Sequence, residues 1–569
     1  MTTQVEQMHQ LFHDDWEARL RFDPLFATST GDGRYNHCLP RVREEDYAAY
    51  QAELSGFRAR LEGIPRGALP AEEQLNYDIW QRLVDNELRE LALGGYRLPL
   101  SKVWGFHLAF AECYLNMPFD TVEDYEKYIA RLNAFPQYVQ DQIELMREAL
   151  RQGFVPPRAI LEGVDAAMRA QIVTKPAESM LYSPFQSFPA TLGEAERARL
   201  GAAGQAAIQG SVVPGYQAGL AFLLAEYLPS ARESIAAAEL PQGLEFYTHR
   251  IRYFTSLALT PQEVHQTGVE EVQRIRAEME AVKQKAGFSG TFRQFIEFLR
   301  SDARFYAQTA EQLLEKTALV LKRMDGELPR LFKTLPRLPY GIRAIPDYSA
   351  PGNTAAYYFP GPGDGSRAGV YYVNTYDLPS RPLYEIEALS LHEAVPGHHL
   401  QIALQQELAN LPLFRRHSGF TSFVEGWALY AERLGLESGF YQDPYSDFGR
   451  LSYEMWRACR LVVDTGMHVL GWSRAQAIEF MLDNTSSTLL NITNEVDRYI
   501  AWPGQALAYK IGEMKIRQLR SRAEAALGAR FDLRQFHDVV LLQGAVPLDV
   551  LENMVEAYIQ GGKGRQGEA

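Results

Sequence analysis

Three histidines and one glutamate fall within the eight residues from His392 to His399. Neutral imidazoles are common zinc ligands, and a carboxylate that does not bind the metal can take a proton from an activated water molecule. His392, followed directly by Glu393 on a predicted helix, supplies one group of each kind. The segment therefore predicts the site of a zinc-dependent hydrolase, with His392 as a metal ligand and Glu393 as the general base.

The second histidine is displaced from its usual place. In a His-Glu-x-x-His arrangement it lies one turn, about 6 Å, after the first. Here His398 and His399 follow six and seven residues later, and on a regular helix neither could share one ion with His392. Pro396 and Gly397 can interrupt the helix between them, so we expect a local break. We prefer His398 as the ligand because it follows glycine, as in His-Glu-x-Gly-His peptidases. His399 is the alternative.

A carboxylate further along the chain offers the third ligand. Glu425 lies in the apolar and aromatic stretch 423–430. A carboxylate there is costly to bury without a partner, and a zinc ion is such a partner. Glu432 lies two turns later and could hold a ligand histidine through a hydrogen bond. We predict that Glu425 completes the metal site; the alternative is that it caps a helix or forms a surface ion pair.

Composition and charge narrow the class of protein. The chain has 569 residues, of which 46% are hydrophobic and 22% charged, as in ordinary globular proteins. A net charge of −14 argues against nucleic acid as a partner. Three widely separated cysteines argue against a disulfide framework and a Cys-type zinc cluster. Because we find neither a secretory signal nor a long apolar run, we expect a cytoplasmic protein without a membrane partner. The oligomeric state stays open.

Most of the chain has the hydrophobic periodicity of helices, which predicts a mainly α fold. The predicted helices include residues 7–22, 44–61, 71–93, 122–152 and 261–286. Thr260 and Glu263 form the pattern of a capping box at the start of the last one. Two short runs, 355–359 and 370–373, are rich in aromatic and β-branched residues and flank a Gly- and Pro-rich turn at 360–365. They predict a hairpin or a small sheet.

The Pro-rich segment 336–351 suggests a division of the chain. We predict an N-terminal helical half, residues 1–335, that forms one wall of a cleft. Residues 336–569 would form a second half with the zinc site and the small sheet, and both halves would belong to one continuous structural unit. The polar tail 561–569 is expected to be frayed.

Three long motifs resemble the bacterial domain-of-unknown-function 885 (DUF885) family. They are His-Glu-Ala-Val-Pro-Gly-His-His-Leu-Gln from His392, Phe-Val-Glu-Gly-Trp-Ala-Leu-Tyr-Ala-Glu from Phe423, and Arg-Tyr-Ile-Ala-Trp-Pro-Gly-Gln-Ala-Leu-Ala-Tyr-Lys from Arg498. The likeness extends over nearly the whole chain. More distantly, the sequence is similar to the helical gluzincin metallopeptidases, which bind zinc through two histidines and a downstream glutamate. That resemblance implies a large helical body with a deep cleft and a small β-sheet next to the zinc-site helix.

The gluzincin resemblance also implies further site residues. Those enzymes place a helical tyrosine near the metal, where a phenol can donate to an oxyanion. Tyr509 is the candidate and Tyr499 the reserve. Arg498 or Lys510 could bind a substrate carboxylate, the arginine through two parallel hydrogen bonds.

Together these assignments predict a zinc hydrolase that cleaves amide bonds of short peptides, as a peptidase or a carboxypeptidase-like enzyme. His399 and Tyr372 would face the substrate, and the strand 371–374 could pair with an extended peptide. A metal-dependent amide or ester hydrolase of a small metabolite or natural product is an alternative because it could share the site. A non-enzymatic helical metal-binding or interaction protein is the other, and the intact Glu393 argues against it.

Overall fold

The computed structural model describes residues 3–347, 350, 354–361, 365 and 367–564. Within these residues the chain is mainly helical and has one three-stranded sheet, so the predicted fold class is confirmed at that level. The deep cleft stays a prediction. None of the described helices is both long and apolar enough to cross a membrane. Contacts divide the chain into two units, 1–246 with 412–417 and 247–411 with 418–569. The division predicted at residue 335 falls inside the second unit.

The first unit is built from helices. The helix Val122–Arg151 packs against the helix Val213–Phe222, where Phe135 lies against Tyr216 with 4.7 Å between ring centroids. The helices from the start of the chain to the end of this unit are α1 (Gln4–Phe22), α2 (Pro24–Ser29), α3 (Glu44–Glu62), α4 (Ala71–Ala92), α5 (Phe106–Ala111), α6 (Val122–Arg151), α7 (Val164–Ala170), α8 (Glu194–Ala207), α9 (Val213–Phe222), α10 (Leu228–Ser230) and α11 (Gly243–Thr255), whose last residues enter the second unit.

The second unit holds all the predicted site residues. Its helices are α12 (Pro261–Lys285), α13 (Phe292–Ser301), α14 (Ala310–Leu331), α15 (Ile386–Glu393), α16 (His398–Gln406), α18 (Thr421–Leu434), α19 (Pro444–His468), α20 (Arg474–Asn484), α21 (Leu489–Ala501), α22 (Ala508–Leu527), α23 (Leu533–Leu541) and α24 (Leu548–Gly564); α17 (Leu413–His417) belongs to the first unit.

The predicted helices are confirmed with small shifts at their ends. The first begins three residues early, because Thr3 and Glu6 form a capping box there. The helix predicted from residue 261 has the expected capping box between Thr260 and Glu263. Such caps satisfy backbone N–H groups that the helix itself leaves unpaired, and each contributes about 1 kcal/mol.

Helices α18 and α22 lie unusually close together. A Cβ atom on Gly512 would lie 1.9 Å from the carbonyl oxygen of Ser422, and one on Gly426 would lie 2.6 Å from Gly512 Cα. Only glycine fits at either position. Because α18 carries Glu425 and α22 carries Tyr509, this contact brings two predicted site residues onto neighbouring helices.

The sheet consists of β1 (Tyr340–Ala344), β2 (Ala356–Phe359) and β3 (Gly369–Val373) in the order β1-β3-β2. β2 and β3 are the two predicted strands and pair antiparallel, whereas β1 pairs parallel to β3. β1 lies in the Pro-rich segment that the sequence suggested was a linker, so that interpretation was incomplete. Residues 362–364 of the predicted turn and 565–569 of the predicted frayed tail lie outside the described residues.

Candidate metal centre

The helix that carries the first histidine is interrupted where the sequence predicted. α15 ends at Glu393 and α16 begins at His398, and the Val395–Pro396 peptide bond between them is cis. Gly397 lies so close to His392 that a Cβ atom on it would be 1.8 Å from the His392 carbonyl oxygen. The chain can fold back in this way only because residue 397 has no side chain. The break brings His398 beside His392.

Three predicted ligands lie together in the second unit. His392, His398 and Glu425 each offer one ligand atom, and these atoms lie within 4.8 Å of one another. Glu425 Oε2 lies 3.6 Å from His392 Nε2 and 3.5 Å from His398 Nε2. Zinc bonds of roughly 2.1 Å in a tetrahedral site place neighbouring ligand atoms about 3.4 Å apart. The spacing of the three side chains therefore fits a zinc ion.

The carboxylate oxygen at the centre of the cluster lacks another partner. Glu425 Oε2 is buried and makes no hydrogen bond within the described part of the chain. Burying an unpaired carboxylate oxygen costs free energy, and a cation between the three side chains would remove that cost. The residues present thus fit a divalent metal in chemistry as well as in spacing.

Electrostatics at the cluster favour a cation. Burial raises the pKa of Glu425, but the neighbouring His398 and His392 outweigh it and hold this pKa below its ordinary value. Burial lowers the pKa of His392, but the carboxylates of Glu425 and Glu432 raise it to about 9. Glu425 is therefore ionised at neutral pH. Metal binding would replace the imidazole proton as the positive partner of this carboxylate.

Glu432 supports His392 from the side opposite the cluster. Its Oε1 lies 2.8 Å from His392 Nδ1, and both side chains are almost fully buried. Arg457 Nη2 lies 3.4 Å from the same oxygen. When the Nδ1–H group of His392 donates a hydrogen bond to Glu432, Nε2 is unprotonated and its lone pair is available for a metal. The geometry agrees with the supporting role that the sequence suggested for Glu432.

Glu393 lies next to the cluster without belonging to it. Its Oε2 accepts a hydrogen bond from the backbone N–H of Tyr358 in β2, at 3.0 Å. Its Oε1 makes no hydrogen bond within the described residues. One carboxylate oxygen is thus held and the other is available, which suits a general base.

His399 lies apart from the three ligand atoms. Its Nδ1 is 2.9 Å from Tyr358 Oη, and its ring centroid is 4.9 Å from that of Tyr340. Burial lowers the pKa of His399 to about 4, so the imidazole is neutral. His399 thus connects β1 and β2 to α16, and its substrate-facing role stays a prediction.

The two candidate tyrosines differ in the freedom of their hydroxyl groups. Tyr499 is fully buried, and its Oη accepts hydrogen bonds from Arg460 Nε at 2.8 Å and Trp456 Nε1 at 3.1 Å. The hydroxyl group of Tyr499 is therefore used by hydrogen bonds inside the protein. Burial and the charge of Glu425 raise the pKa of Tyr509. Tyr509 stays protonated at neutral pH and is the better donor to an oxyanion.

Lys510 does not face a substrate. It is fully buried, and its Nζ lies 2.9 Å from Glu271, 2.8 Å from Glu454 and 2.9 Å from Glu513. An ammonium group has three donors, and three carboxylates use them. The expected substrate-binding role is corrected to a structural one, because the charge of Lys510 is balanced inside the protein.

Arg498 and Tyr372, which were also predicted to contact the substrate, have partners within the protein. Arg498 holds Glu495 through Nη2 at 2.9 Å and Nε at 3.3 Å, so the edge that would grip a substrate carboxylate is occupied. Tyr372 is half-buried and stacks on Tyr357. Its strand β3 is central and paired on both sides, so it has no free edge for a peptide. The free edges belong to β1 and β2.

Three residues near the site, Arg457, Arg460 and Tyr358, were not predicted from the sequence. Arg457 and Arg460 lie three residues apart in an otherwise apolar part of α19 and are almost fully buried. Two arginines on one apolar helix face were a usable signal, because such charges are buried only with partners. Tyr358, which holds Glu393 through its backbone, carries no signal in the sequence.

The chain matches a known bacterial family over nearly its whole length. The family model of DUF885, described as a bacterial protein of unknown function, matches residues 24–555 and confirms the resemblance seen in the motifs. A structure named "putative lipoprotein" from Colwellia psychrerythraea has a TM-score of 0.92 at 28% identity and covers 99% of this chain and 100% of its own. Another so named, of unknown function, from Shewanella oneidensis has a TM-score of 0.75 at 19% identity, with 98% and 100% covered. No curated protein matches. The gluzincin likeness stays a prediction.

The expected cytoplasmic location is wrong. Structures that resemble this chain over their whole length are named as lipoproteins, which points to a membrane-anchored or extracytoplasmic location. The expectation rested only on finding no signal and no apolar run. A lipid anchor is a covalent addition and needs no spanning helix, so those two observations do not define the compartment.

Proposed function

This chain belongs to the bacterial DUF885 family, and we propose that it is a zinc-dependent hydrolase that cleaves amide bonds of short peptides. The observation that supports this most directly is the cluster of ligand atoms from His392, His398 and Glu425, within 4.8 Å of one another. Glu393 follows His392 in the chain, and one of its carboxylate oxygens makes no hydrogen bond to any residue that the structure describes. Zinc storage would not need a base at that position.

The chemistry would be divided among few side chains. A zinc ion held by His392, His398 and Glu425 supplies Lewis-acid activation of a water molecule and of the substrate carbonyl. Glu393 takes the proton of the attacking water and later delivers it to the leaving amine. The Tyr358 N–H fixes the carboxylate of Glu393 for both steps. Tyr509 donates a hydrogen bond to the developing oxyanion.

Peptide recognition would use the edge strand β2. Its inner edge pairs with β3, and on its outer edge the Tyr358 N–H reaches Glu393. An exposed strand edge binds an extended peptide through main-chain hydrogen bonds, with little demand on its sequence. Because the Tyr358 N–H is taken by Glu393, a peptide along β2 would pair with the remaining main-chain groups of this edge and lie beside the general base. This proposal replaces the pairing with β3 that the sequence suggested.

The location of the activity follows from similarity alone. Because a structure 28% identical over the whole chain is named as a lipoprotein, we propose that this hydrolase works outside the cytoplasm or on a membrane surface. Immunoblotting of separated cytoplasmic, membrane and extracytoplasmic fractions tests it. Recovery mainly in the cytoplasmic fraction would refute the proposal.

Metal analysis combined with cleavage of a mixed short-peptide library tests the proposed function. We expect about one zinc per chain and peptide cleavage by the wild type. Glu393→Gln should keep the metal and lose at least about 100-fold in turnover, since general acid–base catalysis contributes about 10²- to 10⁴-fold. Glu437→Gln, which alters an ion pair with Arg520, is the matched control and should keep both properties. Zinc without cleavage of any peptide would refute the peptidase assignment, and undiminished turnover in Glu393→Gln would remove the base.

A further inference from the structure

Arg460 is a buried arginine held rigidly near the metal centre. Its side chain lies on α19 and is only 3% exposed as a residue. The guanidinium lies 4.5 Å from the ring centroid of Trp456 and 4.4 Å from that of Tyr509. Its Nε donates to Tyr499 Oη and its Nη2 to Glu495 Oε2, at 2.8 and 3.1 Å. Two rings and two hydrogen bonds therefore fix the orientation of the group.

One nitrogen of this fixed group has no partner. Nη1 of Arg460 is buried and makes no hydrogen bond within the described part of the chain. A buried, charged donor without an acceptor is destabilising, and it calls for a partner that the described residues do not supply. A substrate acceptor would satisfy it.

The charges around Arg460 are also unbalanced. Arg460 and Arg498 share one carboxylate, since both contact Glu495 Oε2, at 3.1 and 2.9 Å. Among the described residues no other carboxylate forms an ion pair with either arginine. Asp464 acts on Arg498 at longer range, but it accepts hydrogen bonds from Tyr247 and burial raises its pKa to about 7. A second carboxylate at this place would balance the second guanidinium.

Tyr509 connects Arg460 to the metal centre. The tyrosine ring contacts the guanidinium on one side, and the charge of Glu425 acts on its phenol. Arg460 and the predicted ligand Glu425 thus both act on the same aromatic side chain.

We propose that Arg460 binds the C-terminal carboxylate of the substrate, so that the enzyme prefers short peptides with a free carboxyl end. The assignment rests on the proposed function, because it places the scissile bond at the metal centre. It replaces Arg498 and Lys510 in this role, since Arg498 already donates to Glu495 and Gln505 and Lys510 contacts three carboxylates of the chain. An uncharged C-terminal amide would leave the charge at Arg460 unbalanced and bind less well.

Binding measurements test this without requiring turnover. N-acetylated tripeptides with a free C-terminal acid, and their C-terminal amides, are titrated calorimetrically into zinc-loaded Glu393→Gln protein. We expect the acid to bind about 10- to 100-fold more tightly than the amide, as for hydrogen bonds to charged groups. Adding Arg460→Gln should abolish that preference by weakening the acid alone. Adding Arg520→Gln, which removes a partly buried arginine at another place in the same unit, should preserve it.

A second variant guards against misfolding. Arg460→Lys keeps the charge but not the planar donor group, and it should retain a reduced preference for the acid. If acid and amide bind equally to the parent protein, or if both Arg460 variants keep the full preference, the assignment is overturned. If the preference depends on Arg460 but no peptide is cleaved by the wild type, the carboxylate site stands and the proposed function fails.

Discussion

His392 Nδ1 lies 2.8 Å from Glu432 Oε1, and this contact sets which nitrogen of His392 is left for a metal. The same carboxylate lies near Arg457, so a buried arginine supports the residue that orients the histidine. His392, one of the three predicted ligands, is thus oriented by a neighbouring side chain before any ion binds. The arrangement makes metal affinity sensitive to residues that would not touch the ion.

Replacing Glu432 should weaken metal binding without removing a ligand. In Glu432→Gln the acceptor for His392 Nδ1 loses its charge, and we expect zinc affinity to fall by about 10- to 100-fold. Competition with a fluorescent chelator measures the affinity. Glu437→Gln, in the exposed turn that follows the same helix, should bind zinc as the wild type does. Equal affinity in Glu432→Gln and the wild type would show that the contact has no such role.

Gly397 should not tolerate a side chain. A methyl group there would lie 1.8 Å from the His392 carbonyl oxygen, and we expect Gly397→Ala to cost about 3 kcal/mol or more of stability and to reduce zinc content. Urea unfolding and metal analysis measure the two effects. Gly326→Ala is the control, because a Cβ atom on Gly326 meets nothing within 4 Å and alanine favours its helix by up to about 1 kcal/mol. A stable, zinc-loaded Gly397→Ala protein would contradict the close approach.

The two tyrosines should respond differently to loss of the hydroxyl group. Tyr509→Phe should lower kcat by about 10²- to 10³-fold with normal zinc content, because an oxyanion donor is removed. Tyr499→Phe should instead lose about 1–3 kcal/mol of stability, since buried donors of Arg460 and Trp456 lose their acceptor. Steady-state kinetics and thermal unfolding separate the two effects. A reversed pattern would exchange the roles assigned here.

His537 should make stability depend on pH. Burial lowers its pKa to about 3, and the neutral ring is bonded to Tyr430 and the Leu331 carbonyl. The unfolded chain binds a proton near pH 6.5 and the folded chain does not, so stability falls as pH falls below 6.5. We expect this residue to contribute a loss of about 1.4 kcal/mol between pH 7.5 and 5.5. Urea unfolding with a chelator present, for wild type and His537→Gln, measures the difference. Identical pH dependence would refute it.

Local sequence patterns predicted much of the fold. Helix ends at Thr260 and the strands β2 and β3 follow from capping and periodicity, which act over a few residues. β1 escaped prediction because Tyr340–Ala344 is short and its pairing with β3 is a contact between distant segments. The central position of β3, which removes its free edge, could not be seen for the same reason.

The candidate site was predictable where the chemistry lies close in sequence. The break at Gly397 and the choice of His398 followed from helix geometry and from one pair of residues. The partners of Lys510 and Arg498 were not predictable, because each is balanced by carboxylates from other parts of the fold. Charge alone suggested substrate contacts, and only the three-dimensional neighbours show that these charges are already paired.

The zinc content of purified wild-type, His398→Ala and His399→Ala protein tests the metal centre most directly. The three predicted ligand atoms include one from His398, whereas His399 lies against Tyr358. We predict about one zinc per chain in the wild type and in His399→Ala, and loss of stoichiometric zinc in folded His398→Ala. A wild-type protein without stoichiometric metal, or a His398→Ala protein that keeps it, would contradict the proposed centre.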